Sequence, residues 1–210
     1  MDFQLTEIEL DALREAANIG AGNAATSLSK MLEKRIRVQV SALRMLDIGQ
    51  VAGRIAGADK VMTAIYFYLR GSASGGIMLI FSPAAGKRLA LRLLGRDRGP
   101  ANPLDGLEQS ALKELGNIFT GTYLTALAEV VNLRFTHSVP GLATDMLQAV
   151  LDGVLIESAS KAEHVLMFDT LFGVEDETVP GHVLFFPDAP GLKTLLGRLH
   201  LQGEKKGRVR

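Results

Sequence analysis

The sequence predicts an α+β fold in which a duplicated unit closes into one pseudo-twofold domain around a central, mostly antiparallel sheet. Three observations carry this. The chain repeats itself at a constant offset, each copy opens on a long amphipathic helical stretch, and each continues with alternating apolar stretches before a shorter helix. Placing Glu15 over Glu114 and Asn18 over Asn117 fixes the offset at 99 residues. Without a gap the match continues through Gly22/Gly121, Thr26/Thr125, Leu28/Leu127, Arg35/Arg134, Val40/Val139 and Leu43/Leu142. The period is too long and the copies too few for a solenoid.

Taken in order, the first long helix opens on Thr6 with Glu9 three residues on, and its counterpart on Asp105 with Glu108. Both pairs are capping boxes. Strand character follows at Val61–Leu69 and Gly76–Phe81, where β-branched and aromatic residues gather as in Ala64-Ile65-Tyr66-Phe67-Tyr68. Ser82-Pro83 then opens a shorter helix to Leu94, with Ser82 a natural N-cap and Pro83 at the first helical position. The second copy has strands at His164–Phe172 and His182–Phe186, then Pro187-Asp188 opening a helix to about Leu199. Arg70–Gly76 and Gly173–Glu177 read as hairpin connections. The expected organisation is one domain over residues 1–203, with repeats at about 6–95 and 104–200 joined by a linker at 96–103. Residues 204–210, carrying Lys205, Lys206, Arg208 and Arg210, read as a disordered basic tail.

Composition narrows the function classes. Lysine plus arginine and aspartate plus glutamate both number 23, so no net field favours nucleic acid or an anionic membrane. Cysteine is absent, which excludes disulfides, thiolate metal sites and a cysteine nucleophile. Met1-Asp2-Phe3-Gln4 offers neither a basic n-region nor an apolar h-region, and no apolar run approaches the ~18 residues of a membrane span. A cytoplasmic protein is expected.

With Glu15 at zero and about 100° per residue, Leu10, Leu13, Ala17, Gly20, Ala24, Leu28 and Met31 gather on the far side as a core stripe. Asp11, Glu15, Asn18 and Gly22 form the opposite stripe, with Ile19 beside them. The second copy rebuilds it as Ser110, Glu114, Asn117 and Gly121, with Ile118 alongside. Asparagine is a poor mid-helix residue, yet it recurs mid-helix in both copies while neighbouring positions drift. An exposed carboxylate three residues from a carboxamide can pair with a partner's lysine, and the carboxamide can hold a water in line with a phosphorus atom without changing protonation. Phosphoryl transfer rests on such positioning. The stripe contains no metal cluster, phosphate cradle or nucleophile, so the partner must bring them.

Other motifs are weaker. Gly20-Ala21-Gly22-Asn23-Ala24-Ala25 fits the dinucleotide pattern G-x-G-x-x-A but lies inside a helix rather than after a strand. His137, His164, His182 and His200 lack ligand spacing. Glu175-Asp176-Glu177 reads as a solvated turn, and no metal is expected.

The pattern Asp/Ser-x3-Glu-x2-Asn, followed by proline after twenty-two further residues, resembles the CheC/CheX phosphatases of chemotaxis. Ser110, Glu114, Asn117 and Pro140 match throughout; the first copy matches at Asp11, Glu15 and Asn18 but has Ser41 at the proline position. The duplication and the segments Asn18–Ala25 and Asn117–Leu124 resemble CheC specifically. The resemblance implies two long helices lying across the sheet and a substrate, phosphorylated CheY, whose own site supplies Mg2+; this chain binds no cofactor itself. It further implies that Glu15 and Glu114 bind a lysine of the regulator and that Asn18 and Asn117 orient the attacking water. Asp11, Ile19, Gly22, Ser110, Ile118 and Gly121 would line the partner contact, with Pro140 structural. The departure at Ser41 puts the helix-to-strand geometry of the first site in question. The family also implies CheD as a second partner. The competing reading is a non-catalytic adaptor that binds phosphorylated CheY or regulates CheD.

Overall fold

The computed structural model describes residues 5–96, 103–157 and 162–207. The first half runs helix α1 (Glu7–Leu32), strand β1 (Ile36–Asp47), a 3-10 turn (Ile48–Gln50) into helix α2 (Val51–Ile55), strands β2 (Val61–Gly71) and β3 (Gly75–Phe81), and helix α3 (Pro83–Leu93). The second runs α4 (Gly106–Val131), β4 (Phe135–His137), β5 (Gly141–Met146), α5 (Leu147–Glu157), β6 (His164–Val174), β7 (Glu177–Pro187) and α6 (Ala189–Gly207).

Both capping boxes form. The Glu9 carboxylate accepts from the Thr6 N–H at 2.8 Å, and Thr6 Oγ1 accepts from the Glu9 N–H at 3.3 Å. Asp105 and Glu108 make the same two bonds, both at 2.8 Å. Each box satisfies orphan donors that a helix start would otherwise leave open. The bond from the Glu108 N–H holds the Asp105 carboxyl below its ordinary range. Glu108 is buried beneath this cap, and Lys87 on α3 pairs with it at 2.6 Å. Both long helices span 26 residues and end on a left-handed residue, Glu33 (φ 52) and Asn132 (φ 50), again at the repeat offset.

The sheet order is β1-β6-β7-β3-β2-β4, with β5 also on β2, and all these pairings are antiparallel. The order reads alike from either end. β3 and β7 meet in the middle, and each half's first strand lies at an edge against the other half's hairpin. The loops interlock in the same sense: Ser72 N–H donates to the Arg134 carbonyl at 2.8 Å and Glu175 N–H to the Arg35 carbonyl at 2.9 Å.

Helices cover both faces. On one, α1 and α4 lay Leu13, Ala17, Ala24, Leu28, Leu112, Leu115, Phe119 and Leu127 against Ile65, Phe67, Leu79, Phe168 and Phe185. On the other, Val51, Leu147, Val150, Leu151 and Val154 of α2 and α5 cover Met78, Ile80, Met167 and Leu184. β3 is therefore buried along its whole length, as a strand covered on both faces must be. A Cβ on Gly20 would sit 2.8 Å from the Tyr123 Cα, so the backbones of α1 and α4 approach too closely there for any side chain. Phe119 and Tyr123 stack beside this crossing at 5.9 Å.

The predicted fold class is the observed one, with two additions. α2 and α5 follow the first strand segment of each half, where the sequence reading placed only strand and loop. Leu147, Val150, Leu151 and Val154 carry the helical spacing that marks α5. α6 continues past Leu199 to Gly207, as its run of Glu204, Lys205 and Lys206 permits: these are good helix formers. Most of the proposed linker, residues 97–102, and the last residues, 208–210, lie outside the described residues. The acidic turn is paired: Arg35 meets Asp176 at 2.6 Å, and Arg92 meets Glu177 at 2.7 Å.

Candidate functional site

The apolar stripe of α1 turns Leu13, Ala17, Gly20, Ala24 and Leu28 into the core, which leaves the opposite stripe outward. Met31 is the exception, exposed at the helix end. Asp11, Glu15, Asn18, Ile19 and Gly22 are all exposed, and a Cβ on Gly22 would meet nothing within 4 Å. Asp11 is held by Arg14 on its own helix at 2.8 Å.

On α4, Ser110 and Glu114 are exposed, while Asn117, Ile118 and Gly121 are half-buried. Ser110 Oγ donates to the Gly106 carbonyl at 2.8 Å. Ile118 packs on the margin of the core, so it is less available than Ile19. The two stripes share one detail: Thr26 donates to the Gly22 carbonyl at 2.9 Å and Thr125 to the Gly121 carbonyl at 2.8 Å. The Asn18 and Asn117 carboxamides make no side-chain hydrogen bond to another described residue.

His137 stands beside the second stripe, at Gly121. Its Nε2 lies 3.5 Å from the position of a Gly121 Cβ, and its Nδ1–H donates to the Ser138 carbonyl at 2.9 Å. Phe67 holds the ring edge-on at 5.3 Å. An open groove of 790 Å³ runs beside it, lined by Gly121, Thr125, Glu129 and Arg134 among others. The residue at the matching offset in the first copy is Val38, so the repeat gave no hint of this histidine.

Pro140 lies between β4 and β5, where its missing N–H interrupts the ladder on β2. The matching residue Ser41 sits at a register shift of β1 on β6: Val40 pairs with Thr170 and Ala42 with Asp169, leaving Ser41 as a bulge. Its Oγ donates to the Asp169 carbonyl at 3.1 Å. The bulge breaks the first strand where proline breaks the second. Helix starts, helix ends and strand breaks thus share one offset.

Gly20–Ala25 lies inside α1, with Gly20 against α4 and Gly22 facing outward. No helix N-terminus is there to receive a pyrophosphate. Among the described residues, no three His, Asp or Glu side chains converge as a metal site. Among the described residues, no helix is long and apolar enough to cross a membrane. A charged cluster stands on the other sheet face, where Arg44 and His182 hold Asp169, the latter at 2.9 Å.

The CheC-like family profile matches residues 8–40 and 107–143, the two long helices with the strands after them. The chain is 30% identical over 195 residues to the Bacillus subtilis protein named CheY-P phosphatase CheC, covering 91% of this chain and 93% of that one. The chain belongs to the CheC-like family. Among solved structures this CheC-like chain resembles Thermotoga maritima FliY, with a TM-score of 0.75 at 19% identity over 95% of this chain and all of that one. It also resembles the Helicobacter pylori FliM middle domain, with a TM-score of 0.65 at 12% identity over 92% and 99% of the two chains. At those identities the likeness is one of fold.

Proposed function

We propose that this CheC-like protein hydrolyses the aspartyl-phosphate of a phosphorylated CheY. The carrying observation is the Glu-x-x-Asn pair, presented on the outward faces of two long helices with matching caps and strand breaks. Kinship with a protein named CheY-P phosphatase supports the same reading.

Glu15 and Glu114 each pair with a lysine of the regulator and fix the register of docking. Asn18 and Asn117 then enter the regulator's site, where the carboxamide oxygen accepts from a water and its NH2 donates to a neighbouring oxygen. That water attacks phosphorus in line: a new P–O bond forms, the bond to the regulator's aspartate breaks, and carboxylate and inorganic phosphate leave. The metal is Mg2+ in the regulator's own site, where it neutralises charge on the phosphoryl oxygens. CheD is a second partner on the family resemblance alone, with no residues assigned to it. The substrate places the protein in the cytoplasm.

The test follows decay of an autophosphorylated CheY with Mg2+. Wild-type protein should accelerate decay, Asn18→Ala and Asn117→Ala should each remove one site's share, and the double variant should lower kcat by about 10²-fold or more with its fold intact. Unaccelerated decay with every cognate CheY, with and without CheD, would leave the adaptor reading in its place.

A further inference from the structure

Each long helix carries, in its first turn, a large apolar side chain in water that neither the core nor the Glu-x-x-Asn pair explains. Ile8 is 61% exposed and Leu107 is 54% exposed. They stand at the repeat offset, at the second helical position of α1 and α4. Local capping does not use them. Thr6 with Glu9 and Asp105 with Glu108 satisfy the backbone, and the residues before each cap, Leu5 and Leu104, already turn onto the core.

Helical phase places them on the site face. Ile8 precedes Glu15, and Leu107 precedes Glu114, by seven residues, so each lies within about 20° of its glutamate and two turns away. Each face thus reads in one line from apolar residue to glutamate, asparagine and glycine, over about 21 Å from Ile8 to Gly22. A single exposed leucine or isoleucine is ordinary. Two at equivalent turns of duplicated helices, both in line with the same polar pair, are not accounted for by chance exposure. The phase matters because a core role would put them about half a turn round the helix.

We infer that Ile8 and Leu107 are the apolar anchors of the two docking faces, each buried by the phosphorylated response regulator that the Glu-x-x-Asn pair on its own helix engages. The inference rests on the phosphatase reading. The anchors lie two turns from the glutamates and three from the asparagines, so they contact the regulator outside its phosphorylation site. Their contribution is to binding equally in ground and transition states, which moves KM and leaves kcat alone.

The experiment reads KM and kcat for phosphorylated CheY in backgrounds with one working site. With Asn18→Ala, only the second site turns over, and Leu107→Ser should raise KM about tenfold, the loss of one buried aliphatic side chain. With Asn117→Ala, Ile8→Ser should do the same. The conservative changes Leu107→Ile and Ile8→Leu should restore most of the affinity, which shows that the serine variants failed through lost apolar contact rather than a damaged helix. KM unchanged by either serine variant, or raised equally whichever site is working, overturns the inference while the phosphatase stands. A serine double variant that dissociates a homodimer without moving KM also overturns it, because a second copy then covers these residues. If the parent protein fails to accelerate decay at all, the phosphatase reading itself has failed.

Discussion

Thr120 and Asp169 show opposite solutions for a polar group under cover. Thr120 is fully buried on α4 and its Oγ1 has no hydrogen-bond partner among the described residues, whereas the first copy has Ala21 at that place. An orphaned hydroxyl costs desolvation with no return, so Thr120→Val should stabilise the protein by about 1 kcal/mol in urea denaturation. An unchanged or lowered midpoint would show that the hydroxyl has a partner in solution. Burial pushes the Asp169 carboxyl up, but hydrogen bonds from Arg44 and His182 outweigh it and hold the carboxyl below the ordinary range. A depressed folded value gives stability that is present above the unfolded carboxylate range and lost as pH falls through the folded value. Asp169→Asn should therefore cost about 1 kcal/mol near neutrality, since solvent screens the partly exposed cluster, and flatten the acid limb of the stability profile. Denaturation midpoints across acid pH read both effects; parallel profiles would remove Asp169 from the linkage.

The crossing of α1 over α4 sets how the two Glu-x-x-Asn stripes are spaced. Gly20 permits it, since a side chain there would meet the Tyr123 backbone at 2.8 Å, and backbone cannot swing away as a flexible side chain can. Gly20→Ala gains helix propensity but must push the helices apart. Overpacking of this kind costs about 1–3 kcal/mol, so the thermal midpoint should fall despite the better helix former. A rise would mean that the helices separate at little cost. Gly22, two residues on, faces open space, so the same pair of glycines serves packing at one position and access at the other.

Over the whole molecule, the strand order makes the halves depend on each other. β1 finds its partner in β6, β5 in β2, and the central pair β3–β7 joins the two halves. A fragment of residues 1–95 would lack β6 and β7, leaving β1 without its partner and the edge of β3 open. Expressed alone, it should give the poorly dispersed amide spectrum of an unfolded or associating chain. A dispersed spectrum from a monomer would show that one half folds unaided.

Much of this was legible in the sequence because the information is local. Capping residues, Pro83, the apolar alternation of β2 and the helical phase of Glu15 and Asn18 each act within a few residues, and the repeat offset showed the long-helix signals twice. Ile8 and Leu107 were equally legible by phase and offset, and only their exposure makes them stand out. Tertiary structure alone decided what depends on distant pairing. It set the first strand of each half against the other half's hairpin and left Ser41 as a bulge that takes the place of the missing proline. It also brought His137 beside Gly121, and it left Asn117 half-buried where Asn18 stands open. Nothing within a few residues of His137 or Ser41 encodes those contacts. They arise because a sheet joins residues distant in sequence, His137 with Leu69 and Ser41 with Asp169, and only the folded register says which ones meet.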